Sequence, residues 1–315
     1  MPIGLGGTAT APFDVIGVGV NTVDLLAVVG DYPAPDSKHQ LRSYTELPGG
    51  ETATALTACA RLGWRTRYVG RFGHDDRGRA ALAALECAGV DLSACDIAPA
   101  AQPVSVILVD TLGRRTVLWS RDSSLNLVTA NIAREVVTSG RILLVDAHQP
   151  DAAVHAARYA RSAGIPSVLD IDATGLGQDT LLGAIDIIVT SATFPEAFTG
   201  KRGLGAALSD LARRFQPGLV CATLGRQGSL AIVNGEETRT AGFEVPVVDS
   251  TGAGDAFRGG FIAGWLAAGS TPSVDTVLTY ANAVGALSCR RLGARSGLPT
   301  RDEVERLVSG GRRTM

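Results

Sequence analysis

The chain has little charge imbalance, few cysteines and no long hydrophobic run. Its net charge is −2 over 315 residues, so there is no basic excess of the kind that binds nucleic acid. No apolar run is long enough to span a bilayer, and we expect no membrane contact. The five cysteines show neither Cys-x-x-Cys pairs nor metal-ligand spacing. This pattern favours reduced thiols, mostly in the core of a cytoplasmic protein.

The two ends of the sequence have the composition of loose tails. Residues 1–12 are rich in Gly, Ala, Pro and Thr and lack the basic and apolar regions of a signal peptide. Residues 311–315 we interpret as a second tail. Between the tails, 45% hydrophobic and 19% charged residues are enough for one large α/β domain with a small appendage.

Glycine, by contrast, is plentiful at 38 residues, and one glycine-rich stretch organises the chain. Residues 249–255 read Asp-Ser-Thr-Gly-Ala-Gly-Asp. We predict a strand over 243–248 before this stretch and a helix over 256–268 after it. A turn of this kind leaves backbone N–H groups unpaired at a helix start, where the helix dipole adds roughly half a positive charge. The sequence therefore predicts an anion site at this turn.

The residues of the turn suit a phosphate. Gly252, Ala253 and Gly254 have little or no side chain to keep a phosphate away from the backbone. Asp255 places a carboxylate beside that backbone. A structural N-cap would also explain an aspartate here, but it would need neither the preceding glycines nor the Gly-Gly pair at 259–260. We therefore interpret the turn as a functional site.

The remaining pattern is typical of a doubly wound α/β fold. Apolar runs at 142–145, 167–169, 185–189 and 219–222 alternate with helical segments at 151–163 and 204–215. This alternation predicts a mostly parallel sheet covered by helices on both faces. An antiparallel pair is predicted at 229–233 and 238–241. The first strand, predicted at 13–20, contains Gly-x-Gly but lacks the third glycine and the immediate helix of a dinucleotide-binding turn.

Three stretches together carry a family resemblance. Residues 249–260, the segment Pro-Gly-Gly-Glu-Thr-Ala-Thr at 48–54, and Thr-Leu-Gly-Arg-Gln-Gly at 223–228 resemble the signatures of ribokinase-like (PfkB-type) carbohydrate kinases. Their order and spacing match over about residues 13–308. Lys38 and the segment 289–299 look most similar to the sulfofructose kinase and ketohexokinase side of that family. No Gly-x4-Gly-Lys-Ser/Thr loop is present, so the chain is not a Walker-type kinase.

The resemblance implies ATP-dependent phosphorylation of a sugar hydroxyl, with magnesium. It also implies an α/β kinase body with a small β lid, and a homodimer formed through the lids. The segments implied for the body are 13–35, 48–102 and 122–310, and those implied for the lid are 36–47 and 103–121.

The resemblance further implies the roles of individual residues. Asp255 would be the general base, and the N–H groups of Gly252, Ala253 and Gly254 would hold the γ-phosphate. Residues implied to bind the sugar are Asp24, Gly49, Gly50 and Thr54, the last standing where the family usually has Asn. Residues implied to line the ATP cleft are Thr223, Gly225, Gly228 and Asn282. Turn-capping or ordinary helix and strand-end roles would also explain Asp24, Thr223 and Asn282.

Metal sites are implied less directly. The family's Asn-x-x-Glu reads Ser-Ala-Thr-Phe at 191–194, which leaves Glu196 as a substitute for the magnesium ligand. Asp170 and Asp172 could orient Mg²⁺ through water, although a capping role explains them equally well. A monovalent cation such as K⁺ would be held by the carbonyl groups of Asp249, Thr251, Ser288, Arg291 and Gly293.

Four basic residues suggest an anionic substituent on the sugar. Lys38, Arg42, Arg121 and His148 could pair with such a group, although they could also be solvated lid charges. Two other functions stay open at this point. One is a nucleoside kinase on the same fold, which the low aromatic content of 5% speaks against; the other is a non-catalytic sugar- or nucleotide-binding paralogue.

Overall fold

The structure is a computed structural model, which describes residues 10–111, 114–269 and 273–314. Most of the first predicted tail and the end of the second lie outside these residues. Among the described residues, no helix combines the length and apolar character needed to cross a bilayer.

The described residues contain two main sheets and a short strand pair. The strands are β1 Val15–Val18, β2 Thr22–Val28, β3 Ser43–Gly49, β4 Thr66–Val69, β5 Arg71–Gly73, β6 Asp96–Ala98, β7 Val104–Val109, β8 Arg115–Ser120, β9 Ile142–Asp146, β10 Ser167–Ile171, β11 Ile187–Ser191, β12 Leu219–Thr223, β13 Ser229–Val233 and β14 Glu236–Thr240.

The helices lie mainly in the connections between the strands of the large sheet. They are α1 Glu51–Arg61, α2 Asp76–Cys87, α3 Arg134–Val137, α4 Pro150–Ser162, α5 Gln178–Ala184, α6 Phe194–Thr199, α7 Leu204–Phe215, α8 Ala253–Ala268, α9 Val274–Ser288 and α10 Arg301–Gly310.

The large sheet confirms the predicted doubly wound α/β class. Its eight strands run in the order β14-β13-β12-β11-β10-β9-β1-β4. The strands from β4 to β12 are parallel, and β13 and β14 are antiparallel. Successive residues of these strands enter opposite cores, since Ile16 belongs to a cluster that includes residues of α4 and α7, whereas Val15 belongs to a second cluster that includes residues of α1, α8 and α9. Both faces are therefore covered, as parallel sheets require.

The Gly-Gly pair at 259–260 has a packing role that the sequence analysis did not assign to it. A Cβ atom at Gly259 would lie 2.6 Å from the carbonyl oxygen of Ala55 in α1. A Cβ atom at Gly260 would lie 2.7 Å from Cβ of Val284 in α9. These two glycines allow α8 to pack closely between α1 and α9, and that packing positions the turn at the start of α8.

The small sheet has the order β3-β2-β7-β8. It draws on both segments predicted for the lid, but it also contains β2, which the sequence analysis placed in the body and did not recognise as a strand. Within the first segment predicted for the lid, β3 begins at Ser43, and residues 38–42 are not part of it. We call β2, β3, β7 and β8 the small sheet below.

The predicted strand at 243–248 is also wrong. Among the described residues, this segment makes only an isolated bridge, between Phe243 and Arg313, and Val247 and Val248 are exposed. No strand in the described part of the chain pairs with the apolar run over its length, so it stays an irregular loop. The anion turn therefore follows a loop and not a strand.

Candidate active site

The turn before α8 has the geometry of an anion site. Gly252 takes a left-handed conformation, with φ of 71° and ψ of 5°, directly before the first helical residue. Among the described residues, the N–H groups of Gly252, Gly254 and Asp255 have no hydrogen-bond partner. Ala253 differs from the prediction, because its N–H donates to the Ser250 carbonyl at 3.2 Å. Three free N–H groups at a helix start can bind an anion.

Asp255 lies beside these N–H groups in the first turn of α8, with 15% of its side chain exposed. Burial raises the pKa of its carboxyl group to about 7, and the negative charges of Glu51, Asp172 and Asp24 add to this rise. Arg258 acts in the opposite direction. A carboxyl group with a pKa near neutrality is suited to accept a proton at physiological pH.

Arg258, which the sequence analysis did not single out, links Asp255 to the sheet. Its Nη2 atom lies 2.6 Å from Oδ1 of Asp170, and each of these two side chains is 2% exposed. Its Nη1 atom lies 4.0 Å from Oδ1 of Asp255. Burial disfavours the charged guanidinium, but the neighbouring carboxylates outweigh burial and raise the pKa of Arg258. The cation therefore bridges two acids that would otherwise repel each other.

Asp24 in β2 is another acid whose charge acts on Asp255. The side chain is buried, and its Oδ1 atom accepts a hydrogen bond from the Thr22 hydroxyl at 3.0 Å. Burial raises the pKa of the Asp24 carboxyl group.

A Cβ atom at Gly49 would overlap the Asp24 carboxylate. Gly50, with φ of 94°, lies against Asn21, whose Cα atom would be 2.6 Å from an added Cβ. The two glycines therefore bring the small sheet and α1 together around Asp24.

Arg295 is a residue of this site that the sequence analysis missed. Its Nε donates to Oγ1 of Thr54 at 3.2 Å, and its Nη2 donates to the carbonyl oxygen of Gly49. Burial lowers the pKa of this guanidinium to about 10, while Asp24 and Asp255 oppose that shift. One signal in the sequence could have identified it: Arg295 lies within the segment 289–299, which carried part of the family resemblance.

The predicted ATP residues line one cavity of about 660 Å³. Thr223, Gly225, Gly228 and Asn282 all contribute to its wall, together with Ala253 and Gly254 of the turn. Asn282 also has a structural role, since its Nδ2 atom donates to the Ser229 hydroxyl and to the Thr240 carbonyl. The anion turn thus forms one end of a cavity large enough for a nucleotide.

The three predicted magnesium ligands do not come together. Asp170 contacts Arg258, and the Glu196 carboxylate accepts a hydrogen bond from the Gly203 N–H at 3.1 Å. Asp172 is exposed. No group of three or more His, Cys, Asp or Glu side chains suited to a metal ion occurs in the part of the chain that the structure describes.

The segments predicted to hold a monovalent cation do lie side by side. The Asp249 carboxylate accepts hydrogen bonds from the N–H and hydroxyl of Thr251, at 2.9 and 2.7 Å. Its other oxygen accepts from the Gly293 N–H at 2.8 Å. Ser288 is buried next to this region, while Arg291 is exposed. Asp249 therefore braces the loop before the anion turn against the loop after α9.

The four basic residues predicted around the lid do not converge on one point. Oε1 of Glu51 lies 3.0 Å from Nε2 of His148. Burial acts to lower the pKa of His148, but the pairing with Glu51 outweighs burial and raises this pKa to about 9. Arg121 donates to Oδ1 of Asn126 at 2.6 Å, and burial lowers its pKa. Lys38 and Arg42 are exposed in the segment before β3.

A nucleotide-sized cavity bordered by an anion turn, with a largely buried carboxylate in that turn, defines a phosphotransferase that acts on a small molecule. The chain belongs to the pfkB family of carbohydrate kinases, whose sequence model matches residues 14–301. It is an ATP-dependent kinase with a hydroxyl group as the acceptor.

Curated relatives support this assignment along the whole chain. An ATP-dependent ribose-1-phosphate kinase of Halopiger xanaduensis is 33% identical over 94% of this chain and 98% of the relative. A ribokinase of Bacillus subtilis is 28% identical over 93% of this chain and 98% of the relative.

Solved structures share the fold. A ribokinase from Thermotoga maritima superposes with a TM-score of 0.81 at 23% identity, over 95% of this chain and 100% of the other. A ribokinase from Arabidopsis thaliana, solved with ribose and ATP, gives a TM-score of 0.80 at 23% identity, over 94% and 98%. The family model and the 33% identical relative confirm the family resemblance seen in the sequence, while the sulfofructose kinase and ketohexokinase side stays a prediction.

Proposed function

We propose that this kinase transfers the γ-phosphoryl group of ATP to a hydroxyl of a ribose-type sugar, with Asp255 as the general base. The hydroxyl oxygen would attack the γ-phosphorus, and the bond from that phosphorus to the β–γ bridging oxygen would break. ADP would leave, and the hydroxyl proton would pass to Asp255. The free N–H groups of Gly252 and Gly254 would bind the oxygens of the transferring group as charge develops on them.

The position of Asp255 carries this proposal. Gly254, its neighbour in the chain, lines the nucleotide cavity. Asp24, which does not line that cavity, lies close enough to raise the pKa of Asp255. A hydroxyl held by Asp24 would therefore lie near the base and face the phosphate chain. The relatives named for ribose 1-phosphate and ribose support a five-carbon sugar as the acceptor.

Magnesium belongs to the proposal as the counter-ion of ATP, where it would neutralise charge on the phosphates. Mg²⁺ in such enzymes is commonly held by one or two carboxylates, waters and the substrate phosphates. Asp170 and Glu196 do not fit this role, because their carboxylates bind Arg258 and Gly203. Asp172 fits, since it is exposed and forms no ion pair with any other described residue.

A monovalent cation at the braced loops would stiffen the anion turn. We expect kcat to rise several-fold when K⁺ replaces choline at equal ionic strength, because a cation bound to carbonyls of Asp249 and Thr251 would hold the loop that leads into Gly252. The measurement is the initial rate at saturating ATP and acceptor. Equal rates in the two salts would remove the cation from the proposal.

A nucleoside acceptor is the second candidate, and one observation favours it. Trp119 in β8 lies edge-on to His148, with ring centroids 6.2 Å apart. The aromatic side chain is 68% exposed and extends from the small sheet to the body, so it could stack on a base. A curated relative from Methanothermobacter thermautotrophicus is named a nucleoside kinase, at 24% identity.

An acceptor screen tests the proposed function. The purified full chain would be incubated with Mg²⁺ and ATP, and ADP formation would be followed with ribose, ribose 1-phosphate, fructose, gluconate, adenosine and no acceptor. Acceptor-dependent turnover with a sugar supports the proposal. Turnover confined to adenosine would favour the second candidate, and no turnover with any acceptor would support a non-catalytic binding protein.

The small sheet also supports the proposed homodimer. Side chains alternate along β8, and Arg115 and Trp119 on one face contact the body at Ser250 and His148. The opposite face exposes Leu118, 58% of which is accessible. Its neighbour Val106 in β7 is half-buried on the same face. We propose that this outward apolar face pairs with the same face of a second chain.

Replacing Leu118 by Asp would weaken that association. In an isologous interface both chains would contribute the introduced aspartate, so two negative charges would be buried next to each other. We therefore expect the dimer to dissociate at micromolar concentration. Light scattering after size exclusion gives the mass. The control is Leu176→Asp, because Leu176 is 95% exposed and lies outside the small sheet. A wild-type chain that is already monomeric would overturn this part of the proposal.

A further inference from the structure

Arg295 lies where an acceptor bound by Asp24 would meet the body. It belongs to the loop after α9, and its side chain reaches α1 at Thr54 and the end of β3 at Gly49. The charges of Asp24 and Asp255 both act on it. The guanidinium is therefore within electrostatic range of both the proposed sugar-binding acid and the proposed base.

The hydrogen bonds of Arg295 fix its orientation and leave one nitrogen unused. Nε and Nη2 donate to a hydroxyl and a carbonyl oxygen, both of which are neutral acceptors. Nη1 is buried and has no hydrogen-bond partner among the described residues. A buried donor without a partner costs free energy, and the cost is larger when the group is charged.

The charge of Arg295 is also uncompensated at short range. Of the ion pairs within 4.0 Å among the described residues, two involve Arg258 and none involves Arg295. Arg258 is more completely buried, but it contacts Asp170 directly. A buried cation with no contacting acid is strongly disfavoured unless an anion joins it. Arg258 therefore already has an anionic partner, whereas Arg295 has none among the described residues.

We propose that Arg295 binds an anionic group on the acceptor, so that the preferred substrate is a sugar carrying a phosphate or a carboxylate and not a neutral sugar. This inference rests on the proposed kinase function. Phosphate and carboxylate oxygens both match a guanidinium edge, and ribose 1-phosphate and gluconate represent the two classes. Lys38, Arg42, Arg121 and His148 are not required for this role.

The test compares acceptors in the wild type, Arg295→Met and Arg295→Lys. We expect wild-type kcat/KM to be higher for an anionic acceptor than for ribose. Arg295→Met should lower kcat/KM for that anionic acceptor about 10- to 100-fold more than for ribose, the size of one charged hydrogen bond. Arg295→Lys should recover part of the difference, and the KM for ATP should not change. The control is Arg306→Met, because Arg306 lies exposed on α10.

Each outcome decides between the inference and its alternatives. If Arg295→Met lowers kcat/KM equally for ribose and for the anionic acceptors, then Arg295 only holds Gly49 and Thr54 in place. That result would overturn the inference. A wild type that turns over ribose best would also overturn it, yet would leave the kinase proposal intact. If Arg295→Met does not fold, calorimetric titration of the wild type decides, because ribose must then bind more weakly than ribose 1-phosphate or gluconate.

Discussion

Replacing Asp255 by Asn lowers kcat by about 10²–10⁴, which is the usual contribution of a positioned general base. The amide has nearly the same shape but cannot take the hydroxyl proton at neutral pH. The fold should be unharmed, because the carboxylate is disfavoured by burial and by Glu51, Asp172 and Asp24. We therefore expect the melting temperature of the variant to equal or exceed that of the wild type.

The matched control is Asp302→Asn, which makes the same substitution in the exposed first turn of α10. Steady-state rates with the best acceptor and thermal unfolding of both variants would be measured. A wild-type kcat in Asp255→Asn would exclude Asp255 as the base. A large loss of melting temperature would show that the carboxylate has a structural role instead.

The pH dependence of the wild type follows from the same residue. Burial raises the pKa of Asp255 to about 7, and a base works only when it is deprotonated. The value of kcat/KM should therefore fall about tenfold per pH unit below pH 7 and be constant above it. A profile that is flat between pH 5 and 8 would contradict the assignment of Asp255 as the base.

Replacing Gly252 by Val has the second largest expected effect. Gly252 has φ of 71°, and an added Cβ atom would lie 2.6 Å from Cβ and 2.7 Å from Cα of Ala294. The turn must therefore move, and its N–H groups no longer point at the γ-phosphate. We expect kcat/KM to fall by roughly 10²–10³, with a loss of about 1–3 kcal/mol in the free energy of unfolding.

The matched control for this variant is Gly200→Val. Gly200 has φ of 69°, close to that of Gly252, but nothing lies within 4 Å of an added Cβ atom. The control therefore imposes the same backbone strain without a clash, at the end of α6 and not in the turn. If both variants lose stability equally but keep the wild-type kcat/KM, the turn does not bind the transferring phosphate.

The errors of the sequence analysis have physical causes. In β2, the buried and half-buried positions follow no two-residue alternation, because this strand packs against several elements. The segment 243–248 is apolar enough for a strand, but a strand needs a neighbour, and this segment has one only at Phe243. The residue pattern within one segment does not show which other strands that segment will pair with.

Two arginines show the same limit at the site. Arg258 contacts Asp170 from 88 positions further along the chain, and Arg295 reaches Thr54 across 241 positions. Neither contact has a local signature, since an arginine within a helix or loop is commonly solvated. These two guanidinium groups nevertheless supply the positive charge next to Asp255 and at the proposed acceptor site.

The sequence by itself determined the parallel α/β body and the anion turn. Both depend on contacts between residues that are near in the chain, namely hydrophobic periodicity and a glycine-lined helix start. Only the tertiary structure decided that β2 joins the small sheet, that Asp24 lies close enough to Asp255 to raise its pKa, and that Nη1 of Arg295 has no hydrogen-bond partner among the described residues. The last two features arise where segments more than a hundred residues apart meet, and their free energy depends on burial, which folding alone creates.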